Sequence, residues 1–135
     1  MELKIKLLKK DDGRTPAIPK YQTEHSAAMD LCAFLDAPIF LAPMERALVP
    51  TGICAEIPVN YGGFVMARSG LASKQGLALS NGVGLIDADY RGEIKVAVTN
   101  FSLDALAIED GQRIAQMVIA PISTCQITLC SELSD

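Results

Sequence analysis

The sequence predicts an all-β domain, a sandwich or barrel, with one short helix. Apolar and polar side chains alternate along several segments, as in residues 94–99, where Ile94, Val96 and Val98 form one apolar face. Glycine, proline and asparagine residues that favour turns separate these segments at short intervals. No long segment shows the 3.6-residue period of an amphipathic helix, so alternating α/β units are not expected.

The elements follow one another along the chain as short strands and a single helix. The helix is expected at residues 69–75, which contain no β-branched side chain and are followed by Gly76, a suitable C-terminal stop. Turns such as Asn81-Gly82 and Asp110-Gly111 separate the strands. The predicted strands are residues 3–8, 39–41, 46–50, 53–57, 63–67, 77–80, 84–87, 94–99, 113–120 and 125–129.

Length and composition limit the classes of function. The 135 residues predict one domain, residues 1–135, with one substantial core. With 16 acidic and 12 basic residues the formal net charge is -4, so a general affinity for nucleic acid or membrane surfaces, which requires a basic field, is not expected. Hydrophobic residues make up 50% of the chain and charged residues 21%, which predicts a sizeable subunit interface.

The N-terminus and the cysteines predict a soluble protein of a reducing, cytoplasmic compartment. Residues 1–10 lack the continuous apolar stretch of a signal peptide, and no apolar run approaches the ~20 residues of a membrane span. The four cysteines have no C-x-x-C spacing and are accompanied by one histidine, so a zinc site is not expected. Cys32 and Cys54 are predicted to be buried free thiols, and His25 to lie on the surface.

Two polar residues interrupt apolar segments and are candidate functional residues. Asp30 is the single carboxylate in residues 27–35, where it needs a charged partner or a wet site. An aspartate satisfied by turn amides is the alternative. Gln116 is the one amide in the apolar strand 113–119, and it must bond either to the backbone, the commoner case, or to a ligand.

The predicted helix starts with residues that favour an anion. Arg68 can bind a phosphate through two hydrogen bonds, and the free N–H groups that follow it lie at the positive end of the helix dipole. Ser69 adds a hydroxyl and Gly70 an open backbone. The alternative is that Ser69 is an ordinary helix cap.

Residues 81–93 contain the densest group of turn-forming and charged residues in the chain. Asn81-Gly82 is explained as one hairpin turn and residues 89–92 as another. These turns leave unexplained both Asp87, which directly follows two apolar residues, and the bare backbone at Gly82 and Gly84.

Four of these segments, in this order, resemble the motifs of the homotrimeric, all-β deoxyuridine triphosphate pyrophosphatases (dUTPases). They are AAMDLCA at 27–33, RSGLA at 68–72, NGVGLIDADYRGE at 81–93 and GQRIAQ at 111–116. The resemblance covers essentially the whole chain. It implies a jelly-roll subunit, a homotrimer with active sites at the subunit contacts, and hydrolysis of dUTP to dUMP and pyrophosphate with Mg²⁺.

The resemblance also implies roles for individual residues. Asp87 matches the general base that deprotonates the water attacking the α-phosphorus. Tyr90 matches the aromatic ring that lies under the deoxyribose and leaves no space for a 2′-hydroxyl. Asp30 matches a carboxylate that holds magnesium through ordered water. The remaining matches are Asn81, the main chain of Leu85 and Ile86, and Lys95 at the uracil, and Arg68, Ser69, Gly70 and Gln116 at the phosphates.

The chain departs from the family pattern at two places. Gln112 stands where an acidic residue often follows the glycine of the fourth motif. The glycine-rich fifth motif, which closes over the nucleotide in relatives, is not found in a sequence that ends at residues 131–135. If the chain ends at Asp135, it is expected to bind a non-hydrolysable dUTP analogue but to turn dUTP over far more slowly than a form extended by a glycine-rich, Phe-containing tail. The alternative is that the tail follows Asp135 in the natural chain.

Two other functions are compatible with the same fold. A dUTP-binding regulatory module without the lid would keep the nucleotide pocket but would have no use for a base at Asp87. A deoxycytidine triphosphate deaminase is disfavoured by the pairing of Asp87 with Tyr90, which is the pattern expected for dUTP hydrolysis.

Overall fold

The computed structural model describes residues 1–134 and contains, within them, twelve strands and one helix. The strands are β1 (Lys4–Leu7), β2 (Lys20–Tyr21), β3 (Met29–Cys32), β4 (Ile39–Leu41), β5 (Arg46–Pro50), β6 (Ile53–Glu56), β7 (Tyr61–Ala67), β8 (Leu77–Leu79), β9 (Val83–Ile86), β10 (Lys95–Asn100), β11 (Leu106–Ile108) and β12 (Arg113–Pro121). Helix α1 spans Ser69–Gln75. The all-β prediction and the single short helix are confirmed. No helix in this part of the chain is long and apolar enough to cross a membrane.

The strands form antiparallel sheets around one apolar core, in the jelly-roll arrangement that the resemblance implied. The largest sheet has the order β2-β3-β12-β7-β9, and a second has the order β5-β10-β8. Two-stranded pairs, β1-β6 and β4-β11, complete the fold. The alternation in the sequence directs one face of each strand inward, and the fully buried side chains include Leu31, Val49, Ile53, Val98 and Met117.

Helix α1 has the bounds that the sequence predicts, and its C-terminus explains why. Gly76 adopts the left-handed conformation, with φ 72°, and its N–H bonds to the carbonyl of Ala72. A Cβ at this position would also lie 2.8 Å from the backbone nitrogen of Ser102. Glycine is therefore required both by the backbone conformation and by the close approach of the loop after β10.

The strand predicted at residues 125–129 is wrong. This segment has no regular secondary structure, and Ile127 and Leu129 are 89% and 95% exposed. Its alternating pattern is compatible with a strand, but a strand forms only where its N–H and C=O groups find a neighbour. No strand among residues 1–134 pairs with it.

Three short strands were not predicted. Strands β2 and β11 are two and three residues long, which is too short for alternation to be visible. Strand β3 lies in the apolar run 27–35, which hides its alternation. The order of buried and half-buried residues along β3 shows that Met29 and Leu31 face the core while Asp30 and Cys32 face outward.

The expectation that Cys32 and Cys54 are buried is also wrong, because both are only half-buried. Cys32 follows the core residue Leu31 on β3, and Cys54 lies between the core residues Ile53 and Ala55 on β6. Each cysteine therefore points to the outer face of its strand. Cys32 and Cys54 are free thiols, as predicted, and Cys125 and Cys130 are free as well. His25 is exposed, as predicted.

Candidate active site

Asp30 lies on β3 with its carboxylate between two guanidinium groups. Arg68 donates a hydrogen bond from Nε to Oδ1 at 3.0 Å, and Arg113 donates from Nη1 to Oδ2 at 3.3 Å. The Asp30 side chain is only 10% exposed, so both oxygens of a largely buried charge are compensated. The prediction that Asp30 needs a charged partner is confirmed, and the turn-amide alternative is wrong.

Arg113 is a site residue that the sequence analysis missed. It begins β12 and lies opposite Cys32 of β3, which brings its side chain to the outward-facing carboxylate of Asp30. The available signal was its position in the fourth motif, three residues before Gln116. No pattern in the sequence paired it with a residue 83 positions earlier.

Gln116 bonds to the backbone, which was the commoner of the two predicted cases. Its Nε2 donates to the carbonyl oxygen of Ala67 at 2.9 Å. Strand β12 lies between β3 and β7, so Gln116 has Asp30 on one side and Met66 on the other. The bond fixes the backbone directly before Arg68 and leaves the amide oxygen of Gln116 without a described partner.

The residues after Arg68 present an open helix start. Ser69 and Gly70 are exposed, and nothing lies within 4 Å of the position that a Cβ of Gly70 would occupy. The predicted alternative for Ser69 is wrong, because Arg68 occupies the N-cap position and no side chain makes a capping bond. The first N–H groups of a helix have no partner within it, so they are available to an anion.

These groups line one cleft, called here the phosphate cleft. Its volume is about 390 Å³, and its lining includes Asp30, Arg68, Ser69, Gly70 and Gln116. Five of the predicted site residues are thus brought together. With Arg68 at the wall and helix N–H groups beside it, the cleft suits a multiply charged anion despite the negative net charge of the chain.

A second group of predicted residues lies around the turn after β9. Asp87 is exposed, and its carbonyl accepts a hydrogen bond from the N–H of Tyr90 at 3.2 Å. The phenol of Tyr90 donates to the carbonyl of Glu93 at 2.9 Å. A cleft of about 360 Å³, called here the tyrosine cleft, is lined by Leu48, Ile86, Tyr90, Glu93, Ile94 and Lys95.

The turn at Asn81-Gly82 is not a hairpin turn, contrary to the prediction. Strand β8 before it pairs with β10, whereas strand β9 after it pairs with β7, so the turn joins two different sheets. Gly82 has a φ of 72°, which explains the glycine. Asn81 is exposed and its Nδ2 lies 3.5 Å from the position of a Cβ at Gly84.

Strand β9 is the edge of the five-stranded sheet, and this exposes part of its backbone. Leu85 is exposed and Ile86 half-buried. Because β9 pairs only with β7, alternate N–H and C=O groups along it point away from the sheet without a strand partner. Lys95 begins β10, and its Nζ lies 3.7 Å from the Glu93 carboxylate.

Asp87 and Arg68 lie toward opposite ends of β7. Strand β9 runs antiparallel to it, with Ile86 opposite Gly63 and Val83 opposite Met66. Asp87 follows Ile86 and therefore lies level with Gly62, whereas Arg68 follows the other end of β7. Six positions along a strand correspond to about 20 Å, and neither of the two clefts is lined by both residues.

The metal-binding side chains among residues 1–134 limit how a metal ion can be held at this site. Residues 1–134 contain no group of three or more His, Cys, Asp or Glu side chains arranged to hold one. Among residues 1–134, Asp30 is the only carboxylate lining the phosphate cleft. Mg²⁺ commonly binds through one or two carboxylates, several waters and the phosphates of a substrate. The residues therefore fit magnesium that arrives with a nucleotide, and they do not form a site built from protein ligands alone.

Cys32 lies close to the phosphate cleft but is not suited to act as a nucleophile. Burial raises the pKa of its thiol, and the charge of Asp30 acts in the same direction, while Arg113 and Arg68 oppose it. A raised pKa keeps the thiol protonated near neutral pH, and only the thiolate is a strong nucleophile.

The chain is similar to known proteins over nearly its whole length. The dUTPase family model matches residues 15–135. The deoxyuridine 5'-triphosphate nucleotidohydrolase of Desulfitobacterium hafniense (strain DSM 10664 / DCB-2) is 46% identical over 136 residues, covering 100% of this chain and 89% of that protein. That of Aquifex aeolicus (strain VF5) is 47% identical over 125 residues, covering 93% of this chain and 82% of that protein. A solved structure of a mutant Staphylococcus bacteriophage 80alpha dUTPase with dUpNHpp has a TM-score of 0.86 at 27% identity, covering 99% of both chains.

Proposed function

The chain belongs to the dUTPase family, and we propose that it hydrolyses dUTP through a site assembled from its two groups of residues, with Asp87 as the general base. The observation that carries this proposal is that the groups needed for the reaction are divided between two separate regions of the chain. One cleft supplies the Arg68 guanidinium and helix N–H groups, and the other region supplies an exposed carboxylate, a tyrosine and a free strand edge. Together these are the groups needed for phosphate, water, sugar and base.

The triphosphate binds in the phosphate cleft. Arg68 is held by Asp30 at 3.0 Å, so its guanidinium is oriented before an anion arrives. Gln116 fixes the backbone before Arg68, while Ser69 and Gly70 present a hydroxyl and N–H groups. A site that is already ordered loses less entropy when it binds its ligand.

The nucleoside binds at the strand edge and the tyrosine cleft. Leu85 and Ile86 are neighbours on β9, and the one whose N–H and C=O groups point away from β7 can pair with the hydrogen-bonding edge of uracil. Asn81 and Lys95 add side-chain donors. The ring of Tyr90 lies under the deoxyribose, where it leaves no space for a 2′-hydroxyl. Base and sugar are thus recognised by different groups.

In the chemical step, Asp87 accepts a proton from the attacking water as the water oxygen bonds to the α-phosphorus. The bond from the α-phosphorus to the bridging oxygen breaks, and pyrophosphate leaves. Asp87 is exposed and directly follows β9, so its backbone is fixed by the sheet while its carboxylate can reach a water. Magnesium, when bound with the nucleotide near Asp30, neutralises charge on the phosphates.

The site requires more than one copy of the chain. Asp87 and Arg68 are separated by about 20 Å along β7. A carboxylate at that distance cannot place a water at a phosphate held by Arg68 of the same chain. We therefore expect a homotrimer in which the phosphate cleft of one subunit meets the Asp87 turn of its neighbour.

Asp87→Asn tests the base. The amide has the same shape but cannot accept the proton, so kcat for dUTP is expected to fall ~10²- to 10⁴-fold while the Kd for dUpNHpp stays within about threefold. Pyrophosphate release measures the first and calorimetry the second. Asp89→Asn is the matched control, because Asp89 is an exposed aspartate of the same turn and its change should leave kcat unaltered.

Hydrolysis by Asp87→Asn at the rate of the unmodified protein would refute the assignment. An equal loss in Asp89→Asn would show that the turn, and not the Asp87 carboxylate, is required. An unmodified protein that binds dUpNHpp tightly but releases no pyrophosphate would instead identify a dUTP-binding module.

A further inference from the structure

Gly92 lies against the hydroxyl end of the Tyr90 ring, too close for a side chain to fit without movement of the ring. A Cβ built on Gly92 would lie 2.5 Å from the Tyr90 hydroxyl oxygen, 2.7 Å from Cζ and 3.2 Å from Cε2. Real Cβ contacts do not occur at the first two distances, so the ring occupies the space that any other residue would fill.

The backbone of Gly92 does not itself require glycine. Five glycines of the chain have a positive φ, namely Gly13, Gly52, Gly76, Gly82 and Gly111, and Gly92 is not among them. An alanine could adopt the Gly92 conformation without backbone strain. The three heavy atoms nearest to a Cβ there all belong to the Tyr90 side chain.

The Tyr90 ring is also held at its outer end, so it cannot move aside freely. Its hydroxyl donates to the carbonyl of Glu93 at 2.9 Å. The Glu93 carboxylate accepts the N–H of Gly52 at 2.9 Å, and the N–H of Ile94 donates to the carbonyl of Ile53 at 2.8 Å. The acceptor of the tyrosine hydroxyl is therefore anchored to β6 and the loop before it.

We propose that Gly92 is a specificity-determining residue, whose missing side chain sets the height of the Tyr90 ring beneath the sugar and thereby the discrimination between dUTP and UTP. The inference rests on the proposed role of Tyr90 at the deoxyribose. A methyl group at position 92 must push the ring outward by about 1 Å to reach ordinary contact distances. That movement breaks the bond to Glu93 and removes the fixed surface that excludes a 2′-hydroxyl.

The test measures kcat/KM for dUTP, UTP and dCTP in four proteins: unmodified, Gly92→Ala, Tyr90→Ala and the double variant. Gly92→Ala is expected to reduce the ratio of kcat/KM for dUTP to kcat/KM for UTP by about tenfold or more. This is the order of discrimination that the shape of a pocket provides. The ratio of dUTP to dCTP should change by less than about threefold, since other groups recognise the base. In the Tyr90→Ala background, Gly92→Ala should have no further effect on the UTP ratio, because the ring through which it acts is gone.

The four proteins distinguish a failure of the role proposed for Gly92 from a failure of the role proposed for Tyr90. If Tyr90→Ala lowers discrimination against UTP and Gly92→Ala does not, the role of Gly92 is refuted and that of Tyr90 stands. An effect of Gly92→Ala that persists in the Tyr90→Ala background, or that is equal for dCTP, refutes action through the ring. Unchanged discrimination in Tyr90→Ala refutes both roles.

The thermal midpoint of each variant shows whether it folds. If Gly92→Ala does not fold, the same substitution is made in the Tyr90→Phe background, where the closest contact, to the hydroxyl oxygen, is absent. If the ratio of kcat/KM for dUTP to kcat/KM for UTP is lower in this double variant than in Tyr90→Phe alone, the proposal is supported. An unchanged ratio refutes it.

Discussion

Asp30 shows how one side chain can serve two functions at this site. Its carboxylate bonds to Arg68 and Arg113, so it orients the guanidinium that we assign to the phosphates. It is also the one carboxylate that the described part of the chain places in the phosphate cleft, and hence the candidate for water-mediated contact with magnesium. These functions predict different consequences for two substitutions.

Asp30→Asn removes the charge but keeps the size, while Arg68→Lys keeps a charge but loses the planar, two-pronged donor. Both are expected to raise KM for dUTP about tenfold or more, because the side chain at position 68 then binds the phosphates less tightly. Asp30→Asn should in addition raise the Mg²⁺ concentration needed for half-maximal activity, and Arg68→Lys should not. Steady-state rates over a magnesium titration measure this. An unchanged magnesium midpoint in Asp30→Asn would remove the metal role of Asp30.

At the scale of elements, a group of charged side chains joins three loops at one end of the fold. Arg14, after β1, bonds to the carboxylates of Asp12, Asp36 and Asp110 and to the carbonyl of Leu35. The charged groups of Lys10 and Arg14 also lie over the ring of Phe34, at 4.5 and 5.7 Å from its centroid. The loops after β1, β3 and β11 are thereby held together.

This group predicts a loss of stability in acid. A hydrogen bond from Lys10 lowers the pKa of Asp36, and one from Arg14 lowers the pKa of Asp12, both from an ordinary value of 3.8. A carboxylate whose pKa is lowered by folding stabilises the protein fully above its ordinary pKa and progressively less as pH falls through the folded value. Tm should therefore decrease as the pH is lowered through this range.

Arg14→Met should lower Tm at pH 7 and make Tm less dependent on pH between about 5 and 3. Calorimetric scans at several pH values measure this. Lys9→Met is the control, because it removes the same charge from an exposed neighbour. If the two variants show the same pH dependence, net charge rather than the Arg14 contacts is responsible.

At the scale of the whole molecule, the two groups of site residues predict the assembly. Light scattering is expected to give a trimer of about 43 kDa, three times the 14.4 kDa of the 135-residue chain. An active monomer would contradict both the assembly and the shared site.

Mixed trimers test the sharing directly. Arg68→Ala and Asp87→Asn should each be inactive alone, yet co-refolding them in equal amounts should restore activity to about a quarter of that of the unmodified protein, since about one site in four then combines two intact halves. Mixing each variant with itself is the control. Trimers without restored activity would show that both halves belong to one subunit.

Features that depend on neighbouring residues could be predicted from the sequence. Alternation at 94–99 identified β10, because side chains two positions apart point to the same face of a strand. Gly76 ended α1 where predicted, because a left-handed residue stops a helix locally. Gln116 was expected to bond either to the backbone or to a ligand, because an amide in an apolar strand needs a partner, and it bonds to the backbone. The four motifs identified the family without any coordinates.

Contacts between residues far apart in the chain could not be predicted from sequence patterns. Arg113 reaches Asp30 because β12 lies next to β3, and nothing local to either residue encodes that pairing. The turn at Asn81-Gly82 looked like a hairpin, but its flanking strands pair with different sheets. Residues 125–129 have the pattern of a strand and no partner among residues 1–134. Strand pairing depends on contacts between segments far apart in sequence, whereas sequence patterns report only each segment's own preference.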